Sequence, residues 1–178
     1  MQRTWTDRKR LIFIIVSIVI TIVLLAVDQI TKTYFKNLYY EKGSSTVVID
    51  GFFEFTFLNN KGAAFGFLAG TSWGQILFKI LTPVALLIFV FIYFYSLKKC
   101  SRLLGISAVL IFSGAIGNYI DRLIFSAVRD FISLTFGSYN FPVFNLADAY
   151  LTIGVILFVI YFLFVDKNAV FKKNDKNK

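Results

Sequence analysis

Histidine is absent from this sequence, and cysteine occurs once. The first absence removes imidazole as a general base and as a metal ligand. The second removes any internal disulfide. The lone thiol, Cys100, stands in the basic stretch "KKCSR" with no histidine to activate it, so it is a poor nucleophile and reads as incidental. Charge is scarce as well: 16% of the 178 residues are Asp, Glu, Lys or Arg, against roughly a quarter in a soluble domain. Acids are scarcest, 10 against 19 bases. Acid–base chemistry must therefore fall to a few carboxylates, lysines or tyrosines.

What is present is apolar bulk. Hydrophobic residues make up 57% of the chain, 22 of them Phe, and the mean hydropathy is +0.71. Polar surface is too scarce to cover such a chain in water, which places it in lipid. The net charge of +9 does not indicate a nucleic-acid partner. The bases cluster in short segments beside apolar runs and form no basic stripe on a helix or strand.

About 20 apolar residues cross a hydrocarbon core. Four runs approach that length: residues 11–27, 76–97, 103–120 and 146–165, the second with Lys79 near one end and Pro83 inside. A proline is tolerated in such a helix and usually kinks it. Four spans put both termini on one side, and the distribution of bases says which. Arg3, Arg8, Lys9 and Arg10, then Lys98, Lys99 and Arg102, then the lysines of the tail 166–178 all fall on one face, the expected cytoplasmic one. The first span resembles the basic and apolar regions of a signal peptide. No small-x-small site follows, so it reads as an uncleaved anchor.

The outer segment, about 44–72, contains "TVVIDGFFEFTF", two β-rich runs around the turn dipeptide Asp50-Gly51. "GAAFGFLAG" (62–70) reads as a short interfacial helix or re-entrant turn, too short to span. The expectation is an all-α membrane protein of one domain, 1–178. Its four-helix transmembrane bundle carries a small extracytoplasmic β-hairpin cradle and a short interfacial helix.

The polar residues of these apolar segments gather at the outer end. Asp28 and Lys32 are four apart with the acid first, the favourable spacing for a helical ion pair. Asn118, Asp121 and Arg122 share a helix face at i, i+3 and i+4, with Asp121–Arg122 readable as a second pair. Asn145 and Asp148 share another face at the mouth of the fourth span, and Asp130 precedes them in "SAVRDFISL". Taken singly, these residues could be helix-end ion pairs, bridging amides, or a charge favoured by the helix dipole. Taken together, two carboxylates beside three amides favour a hydrolytic pair. Two close acids cannot both ionise easily, so one keeps a proton to donate while the other draws one from water. A small proton-coupled carrier is the alternative. Against it, only Lys79 lies in a span in the other half, so no polar path crosses the bilayer.

At these residues the chain resembles the bacterial lipoprotein signal peptidases, signal peptidase II. The matching pieces are "DQITK" (28–32), "NKGAAFG" (60–66), "GNYIDR" (117–122), "VRDF" (128–131) and "FNLAD" (144–148), in the family's order. The resemblance implies an intramembrane aspartic endopeptidase that cuts diacylglyceryl-modified prolipoproteins just before the lipidated cysteine. Asp130 and Asp148 would be its dyad. Asn60, Gly62, Asn118, Arg122 and Asn145 would shape and support the site, and Asp28 with Lys32 would hold the fold. It further implies no metal or organic cofactor, membrane phospholipids as neighbours, and a monomer in the bacterial cell membrane with its site near the extracytoplasmic face. Two positions depart from the pattern: Arg129, where an apolar residue is more usual, and Ala149, where Ser is frequent. Arg129 could favour the ionised form of Asp130 or face a lipid phosphate.

Overall fold

The computed structural model describes residues 5–62 and 72–166, with 72–75 described by backbone alone. Helix α1 runs over Asp7–Lys42, far past the apolar run that ends at Val27. Nothing in "DQITKTYFKNLYYEK" stops a helix. The first breaker is Gly43, which adopts the left-handed conformation (φ 68°) and donates its N–H back to the Tyr39 carbonyl. At 36 residues the helix is about 54 Å long, so its last turns project beyond a bilayer core. There they support a sheet.

That sheet is larger than the expected hairpin. β1 (Thr46–Ile49) and β2 (Phe53–Asn60) form the hairpin around Asp50-Gly51. β3 (Val128–Phe136) and β4 (Tyr139–Phe144) extend it to four antiparallel strands in the order β1-β2-β3-β4. The fold is mostly helical, as expected, but its β part is a four-stranded sheet and not a hairpin alone. Strands β3 and β4 lie where the sequence suggested only a connection and the start of an apolar run. Phe35 of α1 stacks between Phe55 of β2 (4.0 Å between centroids) and Phe131 of β3 (4.7 Å). These rings hold the projecting helix to the sheet. Past Gly62, the interfacial helix expected over 62–70 lies outside the described residues, as do Gly66 and the tail after Asp166.

The other three helices are α2 (Ser72–Lys98), α3 (Arg102–Phe125) and α4 (Leu146–Ile160), the last continuing as a π-helical turn through Val165. All four helices are long and apolar enough to cross a membrane. α3 is the central one, with buried small and polar residues along its length. A Cβ on its Gly114 would strike the Ala147 carbonyl, and one on Gly154 of α4 would come within 2.6 Å of Ile111. Glycine at these two points lets α3 and α4 pack antiparallel and nearly in backbone contact. Just before α1 the chain meets the α2–α3 turn at one end of the bundle, where the Trp5 backbone N–H donates to Cys100 Sγ at 3.2 Å. At the other end lie the sheet, the end of α3 and the start of α4.

Candidate active site

Asp130 and Asp148 reach this end from different elements. Strand pairing sets the first: Leu58 faces Asp130, and Asn60 faces Val128. Asn60 is thus the diagonal neighbour of Asp130 on the same sheet face. A helix start sets the second. Asn145 is the N-cap of α4, its side chain accepting from the Asp148 N–H while the Asp148 carboxylate accepts from the Asn145 N–H. This reciprocal capping box fixes Asp148 in the first helical turn. The capping that sequence offered as the alternative reading of Asp148 is thus present.

Three asparagines bind the two acids, and two of them, Asn118 and Asn145, join one acid to the other. Asp130 accepts from Asn60 Nδ2 at 3.0 Å and from Asn145 Nδ2 at 2.6 Å. Asp148 accepts from Asn118 Nδ2 at 2.7 Å and from the Asn145 backbone at 3.2 Å. Asn145 Nδ2 also donates to Asn118 Oδ1 at 3.2 Å, closing a chain from one acid to the other. Each amide is oriented by a group that can only donate. Gly62 N–H occupies Asn60 Oδ1 (2.9 Å), Asp148 N–H occupies Asn145 Oδ1 (3.0 Å), and Lys32 Nζ occupies Asn118 Oδ1 (3.0 Å). With their oxygens so engaged, the three nitrogens are left to the carboxylates.

Asp130 is 1% exposed. Burial, and then the charge of Asp148, push its carboxyl up to about 7, against the opposing pull of Asn60, Asn145 and Lys32. Near neutral pH it is therefore poised between holding and releasing a proton.

Beneath the acids lies a buried charge cluster. Lys32 pairs with Asp28 at 2.9 Å, as the i, i+4 spacing indicated, and Asp28 also accepts from the Ala147 N–H at 3.0 Å. The expected Asp121–Arg122 pair does not form. Asp121 is gripped instead by Arg129, through Nε at 3.1 Å, Nη2 at 2.7 Å and the backbone N–H at 2.9 Å, with Lys32 at 3.7 Å. Adjacent residues on a helix point about 100° apart, so Arg122 turns away. It donates to the Gly62 carbonyl at 3.3 Å and lies over the Phe78 ring. Arg129 also donates to Gln29 and Thr33 on α1. It contacts neither the Asp130 carboxylate nor the outside, so both readings of it from sequence are replaced by a structural clamp. Sequence reasoning missed Gln29 and Thr33 as its partners. Their signal was the i, i+4 spacing beside Asp28–Lys32.

Lys79 also needs correction. The Tyr119 hydroxyl donates to its carbonyl at 3.4 Å, which places it at the carboxylate end, because the first turns of α2 run beside the last turns of α3. Among the described residues no group of three or more acidic or thiol side chains is arranged to hold a metal.

A family model described as signal peptidase (SPase) II matches residues 6–164. The chain belongs to the signal peptidase II family. A lipoprotein signal peptidase from Listeria welshimeri is 41% identical over 147 residues, which is 83% of this chain and 92% of the relative. Two solved structures of a bacterial membrane enzyme, obtained by the in meso method at 2.3 and 1.9 Å, are each 32% identical. The first aligns with a TM-score of 0.73 over 100% of this chain and 98% of its own. The second aligns with 0.67 over 93% and 99%.

Proposed function

We propose that this chain is an intramembrane aspartic endopeptidase that removes the signal peptide from diacylglyceryl-modified prolipoproteins, cutting just before the lipidated cysteine. The observation that carries the aspartic assignment is the pair of amides, Asn145 and Asn118, linking Asp130 to Asp148. It holds two acids together in an orientation that serves hydrolysis. The ionised member takes a proton from water as the water oxygen attacks the scissile carbonyl carbon. The protonated member donates to the carbonyl oxygen, giving a neutral tetrahedral diol. Collapse breaks the C–N bond and passes a proton to the leaving amine of the cysteine. The dyad ends with one proton, as it began.

The bases place the termini in the cytoplasm by the positive-inside rule, so the dyad faces the extracytoplasmic interface. Val47, Val48, Ile49, Phe52 and Phe136 are exposed on the sheet. We read this apolar surface as lying among phospholipids, the enzyme acting as a monomer. A substrate anchored by acyl chains would then arrive sideways, its burial contributing about 0.8 kcal/mol per CH₂. Lys79, once moved to the carboxylate end, leaves the carrier reading without its one residue in the other half.

The test compares a diacylglyceryl-cysteine precursor peptide with the same peptide unmodified, in one detergent with EDTA present. The lipidated peptide should be cleaved before its cysteine and the unmodified one barely at all. Equal rates would contradict use of the lipid, and loss of activity in EDTA would contradict metal-independent chemistry.

A further inference from the structure

Lys32 is fully buried, 0% exposed, yet its position is not explained by the ion pair with Asp28 alone. Its Nζ also donates to Asn118 Oδ1 at 3.0 Å, and Asn118 Nδ2 donates onward to Asp148 at 2.7 Å. The other two amides of the dyad are oriented by backbone N–H groups, those of Gly62 and Asp148. Asn118 alone is oriented by side chains, Lys32 Nζ at 3.0 Å and Asn145 Nδ2 at 3.2 Å. An ammonium has no acceptor, so the oxygen of Asn118 must face it and the nitrogen must face Asp148. Without Lys32, only the longer bond from Asn145 Nδ2, which that group shares with Asp130, would oppose a turn-over of the amide. Its oxygen would then meet Asp148, an arrangement that is stable only if Asp148 holds the proton.

We propose that Lys32 is a positioning residue for the dyad, acting through Asn118 to keep Asp148 the proton acceptor and Asp130 the acid that holds the proton. Arg129 makes this possible. By taking Asp121 at 2.7 Å, against 3.7 Å for Lys32, it leaves the ammonium to Asp28 and Asn118. The inference rests on the peptidase reading above. The charged groups around the pair are Asp28 and Lys32 from α1, Asp121 and Arg122 from α3, and Arg129 from β3. Of these, Lys32 opposes the upward push on the Asp130 carboxyl, so its removal should raise that group's apparent pKa further.

The test uses the full-length protein in detergent with the lipidated precursor peptide. Lys32→Met combined with Asp28→Asn removes the ammonium while keeping the buried cluster neutral. The double variant is expected to unfold cooperatively and to lose kcat on the order of 10²-fold, as misplaced reacting groups do. KM should change little, and the alkaline limb of kcat should move to higher pH. A folded double variant with parental kcat and an unmoved limb would overturn the proposal, leaving Lys32 a structural cation only. If the double variant does not fold, Asn118→Asp decides. It keeps an acceptor for Lys32 but presents oxygen instead of nitrogen to Asp148. A folded Asn118→Asp protein should be similarly impaired, and one with parental kcat overturns the relay. Asp130→Asn is run alongside. Parental activity in that variant would instead contradict the dyad itself, so the two failures are distinguishable.

Discussion

At the scale of single residues, the chemistry depends on where one proton sits. The Asp130 carboxyl, held at about 7 by burial and by Asp148, is protonated below that pH and ionised above it. On the proposed mechanism the proton donor is therefore lost as pH rises through about 7, and kcat should fall on that side. The hydrogen bond from Asn60 favours the ionised form, so Asn60→Ala should lower the maximum rate and move the alkaline limb upward. A pH–rate profile of both proteins checks this, and a limb that stays in place would contradict it. The sign for stability is the same. Between the ordinary carboxylate range and about pH 7, the folded protein holds a proton that the unfolded chain releases, so stability declines as pH rises through that window. Arg129 belongs to this scale too. Arg129→Ala takes the guanidinium from the buried Asp121 carboxylate, leaving it the backbone N–H of residue 129 and the weaker contact with Lys32, and should destabilise the fold by about 3–5 kcal/mol. Thermal unfolding in detergent measures this, and an unchanged midpoint would show the clamp to be dispensable. Sequence showed that these residues were polar, apolar-flanked and at one depth. It did not show which acid each base would take, because pairing across α1, α3 and β3 is set by the tertiary approach of elements far apart in the chain.

At the scale of elements, the spans were legible because hydrocarbon imposes a length and a composition. The runs at 76–97, 103–120 and 146–165 differ from the helices by a few residues at most ends. The extension of α1 to Lys42 was hidden because hydropathy reports burial in lipid, and the last turns of α1 bury aromatic rings against a sheet instead. β3 and β4 were hidden for a related reason. Val128 to Phe131 are all buried, so the first half of β3 lacks the apolar–polar alternation that revealed β2; the alternation of Ile132 to Phe136 was the signal left unread. Packing at this scale is tested at the two glycines of the α3–α4 contact. Gly114→Ala places a methyl against the Ala147 carbonyl, where α4 begins and Asp148 is held. It should cost roughly 1–3 kcal/mol, as overpacking does, and lower kcat in the protein that remains folded. Gly154→Ala, whose methyl would meet Ile111 two turns deeper, should lose comparable stability with kcat per folded molecule close to parental. Equal kcat losses in the two variants would contradict the view that Gly114 matters through the position of α4's first turn.

At the scale of the whole molecule, orientation and chemistry are one claim, since the proposed dyad would serve an exported substrate only from the outer interface. The α2–α3 turn carries Cys100, half-buried beside Trp5, and the loop after α1 carries exposed Ser44. A membrane-impermeant thiol reagent should reach Cys100 only from the cytoplasmic side. A cysteine replacing Ser44, in a Cys100→Ser background, should be reached only from outside. Reversed labelling would put the acids at the wrong surface. The most direct measurement is turnover of a diacylglyceryl-cysteine precursor peptide by purified Asp130→Asn and Asp148→Asn, each first shown to unfold cooperatively as the parent does. The account predicts that each substitution alone lowers kcat by at least about 10²-fold, the scale of a lost general acid or base. Turnover by either folded variant above about a hundredth of the parental rate would contradict the dyad.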